Sequence, residues 1–256
     1  MAVGFIVLTL AIRQQLLVSL PMGSVWLLLI SGVVGIGLGD TAYFATVNAL
    51  GARQALLLEM LAPPMAALMS LVFLQEQLSV MAWLGMALTL VGIVWVVSER
   101  SPRTGVSQSK TGLTRGIIFG IVAALGQSIG SVLSRAALAD TVVDPLWSSL
   151  LRLSAGLICI GGLLLWRVKS QPLGYPAISG RLLGGVAIAA FFGTYLAIWL
   201  QQIALKYSPA GIAQSLLATS PIMVLPMALV MGERVTFRAF CGAIIALMGV
   251  WLLFSR

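Results

Sequence analysis

LAPPMAALMSLVFLQEQLSVMAWLGMALTLVGIVWVVS, residues 61–98, and ATSPIMVLPMALVMGERVTFRAFCGAIIALMGVWLLFS, residues 218–255, are two versions of one pattern. A shift of 157 positions superposes them. Pro64 then meets Pro221, Leu68 meets Leu225, Glu76 meets Glu233, Ala82 meets Ala239 and Gly85 meets Gly242. Leu90, Gly92 and Ser98 meet Leu247, Gly249 and Ser255. These identities include the punctuating proline, glycine and glutamate, not only interchangeable aliphatic residues. A two-residue change of shift carries the match upstream, where Ala49-Leu50 meets Ala204-Leu205. A repeat made of long apolar segments implies two homologous bundles of membrane helices, with a binding site expected near the midplane where the halves meet.

Composition supports the membrane reading. The chain is 60% hydrophobic and 9% charged, with a mean hydropathy of +1.07. Several stretches approach the ~20 apolar residues needed to cross a bilayer. The apolar runs are continuous and do not alternate, which excludes a barrel pattern. The expected fold class is all-α, a polytopic transmembrane helical bundle. Helices are expected at 24–49, 52–74, 80–98, 113–138, 146–168, 181–203, 211–232 and 237–255. The expected organisation is a first repeat over 1–98, a linker at 99–112 (ERSPRTGVSQSKTG) and a second repeat over 113–256.

The halves are unequal. MAVGFIVLTLAIRQ lies over AGLICIGGLLLWRV when Arg13 is set on Arg167, so Met1 falls inside a helix. The residues from Gly112 to Ser154 then have no counterpart. Repeat symmetry therefore expects about 40 further residues before Met1, one helix and half of another. A late start codon or a truncated gene would explain this, and so would a first half that is shorter by design.

The net charge of +8 does not indicate nucleic-acid binding, because the basic residues are spread singly between apolar spans. Arg53, Arg100, Arg103, Lys110, Arg115, Arg167, Lys169, Arg181, Arg234 and Arg238 fall on one face. Arg13, Arg135, Lys206 and Arg256 fall on the other. The positive-inside rule places the first set in the cytoplasm and the C-terminus outside. Histidine is absent, and Cys159 and Cys241 sit in apolar segments. No metal-ligand spacing, nucleophile–base pair or phosphate-binding loop is present, so no cofactor, metal or enzymatic activity is expected.

Chemistry inside the spans is carried by few residues. Asp40, Glu59 and Arg152 are charges at membrane depth, where ionisable groups face a cavity or a partner. Asp40 or Glu59 is a candidate proton acceptor during transport. The alternative is an ion pair of either acid with Arg152, or a place at the headgroup boundary. Pro63-Pro64 and Pro221 with Pro226 remove backbone donors at matching points and are expected to kink two helices around a cavity. Tyr43, Gln127, Tyr195, Trp199, Gln214 and Thr219 are candidate lining groups, with Asn48, Trp147, Gln201, Gln202 and Ser215 beside them. Aromatic walls with a few amides suit a small amphipathic or zwitterionic ligand. The same residue types anchor spans at interfaces and join helices. Glu76 and Glu233 are expected to cap the helix that follows each of them. Gly116/Gly120, Gly126/Gly130 and Gly180/Gly184 have the spacing of close helix packing, which would suit a homodimer without demonstrating one.

The pattern Pro64…Glu76…Gly85…Gly92, repeated as Pro221…Glu233…Gly242…Gly249, resembles the EamA domain of the drug/metabolite transporter superfamily. APPMAALMSLVFLQEQLSV and SPIMVLPMALVMGERVTF are similar to that domain's penultimate helix and following loop. The resemblance implies two inverted five-helix repeats, the first here lacking about one and a half helices. It implies efflux of a small metabolite, amino acid or drug-like compound by alternating access in the plasma (inner) membrane. The partners expected are the lipid bilayer and a small-molecule substrate, with no nucleic acid. A non-transporting fragment or helper subunit that needs a partner helix is the competing expectation.

Overall fold

The computed structural model describes residues 1–13, 20–97, 110–170, 180–220, 222 and 237–254. Among these, every regular element is helical. They are α1 (Ala2–Ile12), α2 (Met22–Ser31), a π-helical segment π1 (Gly32–Asp40), α3 (Thr41–Leu50), α4 (Ala52–Glu59), α5 (Ala62–Phe73) and α6 (Val80–Val97). Then come α7 (Lys110–Leu138), α8 (Pro145–Ser170), α9 (Gly180–Ala189), a second π segment π2 (Ala190–Leu196), α10 (Ala197–Tyr207), α11 (Ala210–Leu217) and α12 (Phe237–Phe254).

Five stretches are long and apolar enough to cross a membrane among the described residues: Met22–Leu50, Gln54–Phe73, Gly112–Leu138, Pro145–Trp166 and Leu182–Tyr207. Their outward surface is apolar. Ile158, Leu165, Trp166 and Phe192 are more than 60% exposed, which suits hydrocarbon and not water.

Three spans differ from uniform α-helices. The span expected at 24–49 winds into a π-helix over Gly32–Asp40, and the span expected at 181–203 does so over Ala190–Leu196 and runs on to Tyr207. The span expected at 52–74 is broken at Met60–Leu61, between α4 and α5. The cause is local. Pro63 and Pro64 lack the N–H groups that would bond the carbonyls of Glu59 and Met60, and a proline is accommodated only in the first turn of a new helix. Pro63 and Pro64 stand in the opening turn of α5.

The chain forms two compact units. Unit 1 comprises residues 1–38 and 133–207, and unit 2 comprises 39–132 and 208–256. Each draws on both halves of the sequence. Unit 1 packs α1 against α8 and π2, and α8 against α2 and α10. Its core is Ile6, Leu10, Leu146, Leu153 and Tyr195. Helix ends are tied by side chains. Asp144 Oδ1 accepts the N–H of Leu146 at 2.7 Å, capping α8 ahead of Pro145. Arg135 Nη1 donates to the carbonyls of Leu205 and Lys206 at 3.0 and 2.6 Å, at the C-terminal end of α10. A cation there satisfies orphan carbonyls and complements the helix dipole.

Unit 2 is built on the pairing of α6 with α12. These are repeat-equivalent helices, and their crossing is lined by repeat-equivalent glycines. A Cβ on Gly85 would lie 2.8 Å from the carbonyl oxygen of Gly249, and one on Gly92 would lie 2.6 Å from that of Gly242. Between them Thr89 Oγ1 donates to the carbonyl of Ala246 at 3.5 Å, exactly one repeat shift of 157 away. As one helix advances from 85 to 92 the other retreats from 249 to 242, so the pair runs antiparallel. Bilayer lipid offers helices no hydrophobic reason to associate, so close backbone approach through small residues supplies the attraction.

The remaining small-residue spacings behave differently. A Cβ on Gly116 or Gly120 would press on Leu50 or Leu58, whereas one on Gly180 or Gly184 would meet nothing within 4 Å among the described residues. Among the described residues close packing is found at the first of these pairs and not at the last. Glu76 caps a helix start distant in sequence. Its Oε2 accepts the N–H of Ala210 at 3.2 Å, at the start of α11. Ser79 caps α6, with its Oγ accepting the N–H of Ala82 at 3.1 Å. Glu233 lies outside the described residues.

Candidate functional site

Unit 2 brings Asp40, Tyr43 and Glu59 together. Gly51 makes the turn between α3 and α4 at φ +90°, ψ 157°, a conformation that glycine adopts without a Cβ penalty. Tyr43 lies eight residues before that turn and Glu59 eight after it, so the α3–α4 hairpin sets them opposite one another. Asp40 sits one turn further back, where π1 ends. Asp40 and Glu59 both lie within electrostatic reach of Tyr43, and of each other. Glu59 is the last residue of α4, beside the break. Its Oε2 is buried and has no hydrogen-bond partner among the described residues.

Pro64 and Gln127 are half-buried. Next to Gln127, Ser128 Oγ donates to the carbonyls of Ala62 at 3.0 Å and Ala124 at 2.7 Å, joining α7 to the α4–α5 break. Gln214 is buried, and its Nε2 donates to Ser131 Oγ. Thr219 Oγ1 donates to the carbonyl of Leu216 at 2.6 Å, just past the end of α11. Here the backbone repeats itself. Ala218 and Thr219 form a turn as Met60 and Leu61 do. The bonds Met60 N–H to Leu56 and Leu61 N–H to Leu58 recur as Ala218 to Gln214 and Thr219 to Leu216. Pro221 and Pro226 lie outside the described residues.

Unit 1 holds Arg152, Tyr195 and Trp199. Tyr195 is buried in π2, and its hydroxyl shares a hydrogen bond with Thr9 Oγ1 at 2.9 Å. Its ring stacks on Trp199 at 6.0 Å and leans on Phe191 at 5.2 Å and Phe5 at 6.1 Å. The guanidinium of Arg13 lies 5.3 Å from the centre of the Trp199 ring, a cation–π distance. Arg152 is 1% exposed. It shares a face of α8 with Ser148, Ser149 and Gly156, at helical spacings of three and four. A Cβ on Gly32 would lie 2.8 Å from the Arg152 Cα, so the start of π1 presses on the backbone at that residue.

Sequence reading passed over Ser128, Ser131, Ser148 and Ser149. Serine is unremarkable in a span, and only its spacing relative to Arg152 and Gln127 could have marked these positions. Among the described residues no group of three or more Cys, Asp or Glu is arranged to hold a metal.

Membrane-length helices, apolar outer surfaces and polar groups gathered inside define a multi-pass integral membrane protein. The sequence matches the EamA-like transporter family over residues 1–98 and again over 114–255. The chain belongs to that family, which makes it a membrane transporter of the drug/metabolite type. A solved structure described only as "Crystal structure of protein" is similar to this chain at 15% identity and a TM-score of 0.72. The match covers 98% of this chain and 84% of that one, and at that identity it shows the fold alone. No curated protein matches the chain.

Proposed function

We propose that this chain exports a small metabolite, amino acid or drug-like compound across the plasma membrane by alternating access. The observation that carries the reading is the paired irregularity of the backbone. The turns at Met60–Leu61 and Ala218–Thr219 fall within one residue of the repeat shift of 157, and π1, moved by the upstream shift of 155, overlaps π2. Within a bilayer, backbone that departs from the α-helix is tolerated where it is covered by protein or lines a cavity. Transporters built from inverted repeats place such discontinuities around their binding sites. The antiparallel crossing of α6 and α12 supports inversion of the two halves. Asp40, Tyr43, Glu59, Pro64, Gln127, Arg152, Tyr195, Trp199, Gln214, Thr219 and Pro221 are proposed as substrate-contacting residues. Asp40 or Glu59 is proposed to take up a proton during transport.

The test is an untargeted profile of small molecules in the medium of cells that overproduce the chain. Export raises at least one metabolite outside the cells and lowers it inside. A chain that reaches the membrane and leaves the profile unchanged is not an exporter, and the helper-subunit reading then takes its place.

A further inference from the structure

Unit 1 contains a polar cluster around Arg152 to which the transport reading gives no chemical task. Ser148, Ser149 and Gln202 are 0% exposed and Arg152 is 1% exposed. Most of their groups are committed. Ser149 Oγ donates to the carbonyl of Pro145 at 2.8 Å. Ser148 Oγ donates to Gln202 Oε1 at 2.6 Å, which fixes the amide plane and leaves its NH2 as the free end. That Nε2 is fully buried and has no hydrogen-bond partner among the described residues. A buried amide donor is ordinarily satisfied by protein or by something bound.

The position suits a ligand that enters from one end of the spans. Arg152 lies seven residues into α8, about 10 Å along it at 1.5 Å per residue. Gln202 lies five residues from the end of α10, about 7.5 Å. The bond from Lys206 Nζ to the carbonyl of Val143 at 2.7 Å and the Ser148–Gln202 bond set the two helices antiparallel, so these depths are measured from the same end. Close backbone contact at Gly32 holds this part of α8 in place.

We propose that Arg152 and Gln202 form a subsite for the carboxylate end of the transported molecule. This rests on the transporter reading above and narrows its substrate to amino acids and organic acids. The guanidinium is permanently charged and planar, and it matches a carboxylate through paired N–H donors. The amide of Gln202 adds a donor and no charge. A cationic substrate would be repelled by Arg152, and a neutral one would gain nothing from its charge.

The experiment uses the full chain in proteoliposomes, with initial fluxes of L-leucine, L-phenylalanine and L-glutamine and of the corresponding amino-acid amides. Each flux is corrected for leak into protein-free vesicles. The wild-type protein moves at least one acid more than tenfold faster than its amide. In Arg152→Gln that ratio falls to about one, and in Arg152→Lys an intermediate ratio is kept. Gln202→Met, which keeps the side-chain length, lowers the ratio without reversing it and serves if Arg152→Gln does not fold. An acid-to-amide ratio near one in the wild type overturns the subsite and leaves the transporter standing. So does a wild-type ratio that persists in Arg152→Gln or Gln202→Met. Flux no faster than leak for every pair also overturns the subsite, and the export profile above then decides the transporter reading.

Discussion

A methyl group added at Gly92 probes the contact on which unit 2 is built. In Gly92→Ala the new carbon would lie 2.5 Å from the backbone nitrogen of Ala246 and 2.6 Å from the carbonyl oxygen of Gly242. Ordinary van der Waals contact begins at 3.4 Å. Both obstructing atoms are backbone, so no side chain can turn aside and α6 must move from α12 by close to an ångström. A radial gap of that size forfeits roughly a quarter to a half of each dispersion contact. Overpacking in well-packed interiors costs about 1–3 kcal/mol. We expect about 2 kcal/mol for Gly92→Ala, a change of roughly 30-fold in the unfolding equilibrium. Gly85→Ala meets Gly249 and Leu253 at 2.8 Å and should cost less. The new methyl of Gly184→Ala meets nothing within 4 Å among the described residues and should be neutral, or gain up to about 1 kcal/mol from helix propensity. Unfolding of the purified protein in mild detergent, followed by loss of helicity against rising sodium dodecyl sulfate, reads all three. Gly92→Ala as stable as the wild type, or no more costly than Gly184→Ala, would refute the glycine crossing.

Three further outcomes follow from single contacts. Glu76→Ala removes the acceptor for the Ala210 N–H at the start of α11 and should cost about 1 kcal/mol in the same titration, as helix caps do; no loss would mean that this cap is idle. Tyr195→Phe deletes the bond to Thr9 but keeps the aromatic stack, so a loss of about 1 kcal/mol is expected, against about 3–5 kcal/mol for Tyr195→Ala, the range for large aromatic truncations. Asp40→Asn and Glu59→Gln remove the titratable groups of the α3–α4 hairpin, and the pH dependence of flux should flatten in at least one of them. Wild-type pH dependence in both variants would show that neither carboxyl carries the proton.

The repeat made much of unit 2 readable in advance. Gly85, Gly92, Gly242 and Gly249 stood out in the sequence because glycine is costly in a helix unless something needs the space, and all four line the α6–α12 crossing. Pro63 and Pro64 likewise announced the α4–α5 break through chemistry local to the chain. The π segments gave no such signal. They contain glycine, alanine and aromatic residues that also occur in ordinary spans, and nothing in their spacing reports an extra residue per turn. Glu76 was legible as a helix cap but not as the cap of α11, since its partner is 134 residues away. Arg152 was visible as a charge at depth. Its neighbourhood was not, because the Ser148–Gln202 bond joins positions 54 apart and depends on how α8 and α10 pack.

Carrier transport by alternating access is tested most directly by trans-acceleration in proteoliposomes, with a metabolite that the overproducing cells export. Uptake of the labelled compound should saturate with concentration and should speed up when the unlabelled compound is loaded inside, because the returning site then travels occupied. Uptake that rises linearly and ignores the internal load would contradict a carrier, and uptake equal to that of protein-free vesicles would contradict transport itself.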